Sequence, residues 1–276
     1  MTIGTPTTGA PERLARWGLT ADGEPAPTVA GVVQFVRRGE QRLVLKQFAG
    51  ADEAAQAAAL ALWEGHGAVR VAEVEAGALL MERAWPGTPL SGLAFEGNDD
   101  AATHAVCDVI AVLHRDPAPG GFRTVEDWGQ GFDRVRARAL AEGADAVMID
   151  PARALYDDLC RSQGDRFLLH GDLHHDNILW DDGRGWLAID AKGVVGELAY
   201  ETGCMLRNPG DQPKLYADPG VITRRAAILA ERLGLDLERI LGWCFAQAVL
   251  SALWSVEDGR DPSRGWRTAQ ATRPLL

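Results

Sequence analysis

The spacing of apolar and polar positions changes character about a third of the way along the chain. Residues 9–18 read as a short opening helix. The runs Val32 to Arg38 and Gln41 to Phe48 are rich in β-branched residues and flank a turn containing Gly39, which predicts an antiparallel hairpin. Residues 52–65 are rich in alanine, carry Leu60 and Trp63 at helical spacing, and stop at Gly65 and Gly67. Two short strands, Val69–Glu75 and Ala78–Ala84, complete this part. The segment Trp85-Pro86-Gly87-Thr88-Pro89-Leu90 then breaks every periodicity and marks a boundary. Beyond it the pattern is helical over residues 100–115, 222–233 and 235–256, with one compact strand-rich island at 167–190. A sheet-rich opening followed by helices predicts an α+β fold of two lobes: an N-terminal lobe over 1–85 and a C-terminal lobe over 86–276.

Bulk properties narrow the field. No run approaches the ~20 uninterrupted apolar residues of a membrane helix, and the small, polar opening MTIGTPTTGAPERL lacks the basic and apolar regions of a signal peptide. Cys107, Cys160, Cys204 and Cys244 are scattered without a CxxC or CxxH pair, which fits free thiols in a reducing cytoplasm rather than zinc or a disulfide framework. The formal charge of −11 speaks against nucleic acid as a partner and is compatible with a cationic small molecule. Nothing in the sequence fixes the oligomeric state.

The candidate chemistry sits in the island. The string HGDLHHDNILW runs from His170 to Trp180, and Leu187-Ala188-Ile189 leads an apolar strand into Asp190. Asp172 and Asn177 have the D-x-x-x-x-N spacing of a kinase catalytic loop. Phosphoryl transfer needs a carboxylate beside the acceptor hydroxyl, oxygen ligands for a metal that bridges the phosphates, and a cation on the phosphates that stay behind. Asp172 suits the first task, Asn177 and Asp190 the second, and Lys46, closing Val44-Leu45-Lys46, the third.

HGDLHHDNIL, then IDAKGVVGELAYE and LRNP, resemble the aminoglycoside phosphotransferase superfamily of protein-kinase-like folds. Within it the chain is most similar to the branch of streptomycin 6-kinases and hydroxyurea phosphotransferases. The resemblance runs over nearly the whole chain, through the VLK strand, the alanine-rich helix, the GALLMERA hinge and the turn from Leu113 to Pro119. It implies an ATP- and Mg2+-dependent small-molecule kinase in which Asp172 orients or deprotonates the acceptor hydroxyl. Asn177 and Asp190 would bind magnesium, Lys46 would hold the α- and β-phosphates, the backbone near Glu82–Ala84 would meet the adenine, and His170 would brace the loop. Two features depart from the pattern. Residues 25–31 have no GxGxxG, and Gln56 stands where a glutamate partner for Lys46 is expected; either Gln56 gives Lys46 a neutral hydrogen bond at the nucleotide site or Glu53, nearly a turn earlier, is its partner.

Two other classes fit parts of the sequence. Three histidines and two aspartates in HGDLHHD suggest a metallohydrolase, but the spacing is not HExxH and leaves Lys46 and Asp190 without a task. A kinase-like module that only binds nucleotide is favoured by Gln56 alone. Glu197 and Glu201 read as structural, tying the metal loop to nearby backbone amides. Glu257 and Asp258 read as a solvated helix end. The resemblance, with the net negative charge, implies a small hydroxylated and cationic acceptor such as streptomycin, with hydroxyurea or a metabolite as alternatives.

Overall fold

The computed structural model describes residues 10–28, 31–48, 52–114, 118–210 and 212–276, with the side chains of 10, 11 and 52–56 outside the description. The chain divides into two compact units, one of residues 1–88 and 179–192, the other of residues 89–178 and 193–276.

In the first unit the helix α1 (Ala10–Arg16) precedes the strands β1 (Thr20–Ala21), β2 (Ala26–Thr28), β3 (Gly31–Arg38) and β4 (Gln41–Phe48). Helix α2 (Asp52–Leu62) and the strands β5 (Val71–Glu75), β6 (Ala78–Glu82) and β7 (Pro86–Pro89) follow. The predicted hairpin is β3 and β4, paired antiparallel from Gly31 opposite Phe48 to Arg38 opposite Gln41. Strand β4 also pairs with β6, and β6 with β5, giving the order β1-β3-β4-β6-β5 with β2 on the free side of β3. Side chains alternate across a strand, so Leu43 and Leu45 pack inward against Val36, Ala78 and Leu80. Val44 and Lys46 therefore face the other way.

The second unit opens with α3 (Ser91–Phe95), α4 (Asp99–Leu113), β8 (Arg123–Thr124), α5 (Val125–Ala141), α6 (Ala146–Arg161) and β9 (Arg166–Leu169), followed by a 3-10 turn at His175–Asn177. The chain then returns to the first unit as β10 (Ile178–Asp181) and β11 (Gly185–Ala188), where β11, β10 and β7 form a small sheet. The second unit resumes with β12 (Val194–Glu197), α7 (Leu198–Leu206), α8 (Pro213–Tyr216), α9 (Pro219–Leu233), α10 (Leu237–Glu257) and α11 (Ser263–Thr272). Strand β12 lies between β8, parallel, and β9, antiparallel.

Helix α10 is the axis of the second core. It is long and apolar enough to cross a membrane, yet it is mostly buried inside the unit. Trp243 is fully buried with edge-on contacts to Tyr156 at 5.1 Å and Tyr200 at 4.9 Å between ring centroids. Truncating such a residue costs about 3–5 kcal/mol. Gly203 of α7 lets that helix close on α10, since a Cβ there would meet the Gln247 side chain at 2.7 Å. Helix starts are set by local acceptors: Thr124 and Asp127 form a reciprocal capping box on α5, Asp145 caps α6, Asp218 precedes Pro219 at the start of α9, and Asp236 accepts from the Arg239 amide at 2.7 Å.

Candidate active site

The first unit contains a cavity of about 420 Å³. Alternation along β3 and β4 puts Val33, Phe35, Val44 and Lys46 on its wall, and Met81 through Ala84 at the end of β6 form its edge. Leu179, Ile189 and Asp190, brought back by β10 and β11, close the other side. The walls are largely apolar and include a buried cationic charge, which suits a planar base with a charged tail.

Lys46 supplies that charge. It is 3% exposed, and its ammonium pairs with the Asp190 carboxylate. Asp190 lies two residues beyond β11 in the left-handed region, φ 61°, a conformation uncommon outside glycine. Its side chain keeps 40% of its surface open. Glu82 turns its carboxylate away to accept from the Arg70 amide at 3.0 Å and to pair with Arg184. Arg184 also bonds the carbonyls of Gly65 and Ala68, the latter at 3.2 Å. Ala84 is buried in the cavity wall. Gln56 and Glu53 belong to α2, but their side chains lie outside the described residues, as do residues 29 and 30 of the segment lacking GxGxxG and 115–117 of the turn after α4.

In the second unit, the loop from His170 to Asn177 is fastened at nearly every residue. Glu201, fully buried on α7, accepts from the backbone N–H of His170 at 2.5 Å and of Gly171 at 3.0 Å, and lies 3.1 Å from His114 Nε2. Burial pushes the Glu201 carboxyl up, but the bond to His114 and the neighbouring donors hold it below its ordinary value. The His170 ring accepts from the Asp172 amide at 3.2 Å. Asn177 donates its side-chain amide to the Asp172 carbonyl at 2.9 Å, and Ser91 donates to Asp176 at 2.5 Å. The Cys204 thiol donates to Asp172 Oδ1 at 3.2 Å, and burial raises its pKa far enough to keep the proton on sulfur.

The histidines serve separate ends. His174 caps the 3-10 turn, accepting from the Asp176 amide through Nδ1. His175 is fully buried with both ring nitrogens without a hydrogen-bond partner, and burial pushes its pKa down to about 3. Among the described residues no three His, Cys, Asp or Glu side chains converge as a metal cage. Magnesium asks for less, taking one or two carboxylates with water and substrate phosphates.

Other carboxylates fall outside this loop. Glu197 is held by Arg239 at 2.6 Å and by the Trp243 indole, and Glu257 pairs with Arg134 at 2.6 Å on the surface. Sequence reasoning missed Cys204, His114 and Arg184. Their partners Asp172, Glu201 and Glu82 stand many residues away, and only His114 falls in one of the motifs that carry the resemblance, the turn from Leu113 to Pro119.

An antiparallel sheet unit with a lysine–aspartate cavity, joined in the chain to a helical unit with a D-x-x-x-x-N loop, defines a kinase-like phosphotransferase. Its fold matches a thermostable mutant of aminoglycoside phosphotransferase APH(4)-Ia in ternary complex with AMP-PNP and hygromycin B. That match has a TM-score of 0.67 at 15% identity over 98% of this chain and 99% of that one. Residues 16–259 match the family described as aminoglycoside/hydroxyurea antibiotic resistance kinase, and the chain belongs to that family. It is 36% identical to streptomycin 3''-kinase of Klebsiella pneumoniae over 89% of this chain and 92% of the relative. It is 34% identical to streptomycin 6-kinase of Streptomyces glaucescens over 90% and 82%. The chain is therefore a small-molecule kinase, and membership of a kinase family implies ATP as phosphoryl donor.

Proposed function

We propose that this kinase phosphorylates a hydroxyl group of an aminoglycoside-type antibiotic, with streptomycin as the first acceptor to test. The observation that carries the reading is the 36% identity to a streptomycin 3''-kinase over nearly the full length of both chains. The net charge of −11 agrees with a cationic acceptor. The second relative modifies streptomycin at a different position, so the target hydroxyl is left to product analysis. Hydroxyurea is the second acceptor to try, because the family's description includes it.

In this reading the apolar walls from Val33, Val44, Met81 and Ile189 hold the base, with the backbone of Glu82 to Ala84 along its edge. Lys46 neutralises the α- and β-phosphates. Asn177 and Asp190 would each offer an oxygen atom to magnesium, and that ion would supply positive charge to shield the phosphate oxygens. Asp172 receives the acceptor's proton as the acceptor oxygen bonds to the γ-phosphorus; the bond from that phosphorus to the β-bridging oxygen breaks, and ADP departs with that electron pair. ATP and free thiols are those of a cytoplasmic enzyme.

The test is ATP consumption against streptomycin, other aminoglycosides, hydroxyurea and common metabolites. Streptomycin is expected to be phosphorylated, and no turnover with any aminoglycoside would sink the antibiotic reading. Asp172→Ala is expected to remove transfer while nucleotide binding stays nearly intact; wild-type turnover in that variant refutes the assignment of the base.

A further inference from the structure

His174 is the residue of the catalytic loop that the proposed mechanism leaves unused. Its Nδ1 accepts from the Asp176 amide at 3.2 Å, so in the neutral imidazole the proton resides on Nε2. Burial holds the ring's pKa below its ordinary value, against the pull of Asp172 and Asp176. Nε2 lies 4.0 Å from Asp172 Oδ2. That gap is too long for a direct hydrogen bond, and among the described residues no other group bonds to Nε2. Two hydrogen bonds of about 2.8 Å that meet near a right angle at one oxygen span about 4 Å. Asp172 Oδ1, by contrast, already accepts from the Cys204 thiol. The carboxylate thus has one oxygen engaged by the scaffold and one facing an N–H across the width of a single hydroxyl. Both side chains are part-exposed, 21% for His174 and 32% for Asp172.

We infer that His174 Nε2 and Asp172 Oδ2 grip the acceptor hydroxyl between them, His174 donating to its oxygen and Asp172 taking its proton. This rests on Asp172 being the base. With its hydrogen directed at Oδ2 and one lone pair receiving the Nε2 proton, the oxygen has one lone pair left to attack phosphorus. As the new oxygen–phosphorus bond forms and the bond to the leaving ADP breaks, the hydroxyl proton passes to Oδ2. His174 keeps its own proton throughout. Cys204 is a positioning residue that presents the correct oxygen of Asp172.

Two substitutions separate this role from simple bracing of the loop. Asparagine carries its polar atoms only as far as Nδ1, whereas the amide of glutamine reaches the place of Nε2. With ATP and streptomycin, His174→Asn is expected to lower kcat/KM for the acceptor about 10–100-fold, with the KM for ATP within about twofold of wild type. His174→Gln should recover most of the loss. Loss in the glutamine variant alone, equal loss in both, or wild-type rates in both overturns the inference. If wild-type enzyme leaves streptomycin untouched, the acceptor reading has failed by itself. The same pair of variants is then compared by ATP hydrolysis, in which water takes the place of the hydroxyl.

Discussion

The two units each contain a carboxylate facing a cationic or imidazole side chain, and the surroundings of the two pairs are opposite. In the first unit, Lys46 is buried but Asp190 leaves two fifths of its side chain open, on a residue held in the left-handed region just past β11. In the second, His114 and Glu201 are 1% and 0% exposed, and Glu201 also receives two loop amides. A carboxylate with open surface can turn to a metal or to water more cheaply, because its half of the pair is already partly hydrated. A buried carboxylate with three donors cannot be released without leaving those donors unsatisfied in a dry interior. If the proposed function holds, exposure separates a charge kept for ligand from a charge that holds the scaffold.

The largest effect tests the scaffold side. Glu201→Ala is expected to cost about 3–5 kcal/mol of stability, as when one partner of a buried pair is removed, read as a lowered urea midpoint. A cost below about 1 kcal/mol would break the comparison. The pH dependence has a definite sign. Glu201 titrates below its ordinary value of 4.5 in the folded protein, so its contribution is complete above that value and is lost as pH falls through the depressed one. Glu201→Gln should remove this part of the acid slope.

Asp190→Asn probes the other pair. Asp190 is 40% exposed but its partner Lys46 only 4%, so the change is expected to cost about 1–3 kcal/mol, less than Glu201→Ala, as a buried ammonium loses part of its pairing. Turnover should fall about 10²–10³-fold, the usual cost of losing one preorganised group at the developing charge. Thermal unfolding and ATP turnover on the same preparation give both numbers. A large stability loss with modest kinetic loss would assign Asp190 to the scaffold instead.

What the sequence disclosed follows the range of the interactions involved. The hairpin of β3 and β4, helix α2 and the terminal helices α9 and α10 have local patterns strong enough to predict, and each lies within a few residues of its expected bounds. Helices α5 and α6 were missed. VEDWGQGFDRVRARALA carries glycines and aspartates that lower its helical propensity, and its helix depends on the Thr124–Asp127 capping box and on packing against the α10 core. The return of residues 179–192 to the first unit was equally invisible. It depends on β10 pairing with β7 and on the Val69 amide reaching the Ala188 carbonyl at 3.1 Å, across more than a hundred residues. In the proposed site, Asp172, Asn177, Asp190 and Lys46 are candidates because their motifs are local. The bonds of Cys204, His114 and Arg184 reach across 32, 87 and 102 residues, which a local motif does not record.

Arg184 sharpens the comparison with the smallest expected effect. It belongs to the first unit, yet like Glu201 it makes several bonds at once: to the Glu82 carboxylate and to the carbonyls of Gly65 and Ala68. Unlike Glu201, it is 20% exposed and Glu82 is 22% exposed, so water can replace part of what is removed. Arg184→Ala is therefore expected to cost about 1–2 kcal/mol, the range for one or two partly solvated hydrogen bonds. The KM for ATP should rise a few-fold as the Glu82 to Ala84 edge of the cavity loosens. Arg184→Lys should recover less than half, because a single ammonium cannot reproduce a planar fork that reaches a carboxylate and two carbonyls. Should Arg184→Ala cost as much as Glu201→Ala, exposure would not be what separates the two kinds of charge, and the number of bonds would replace it as the deciding quantity.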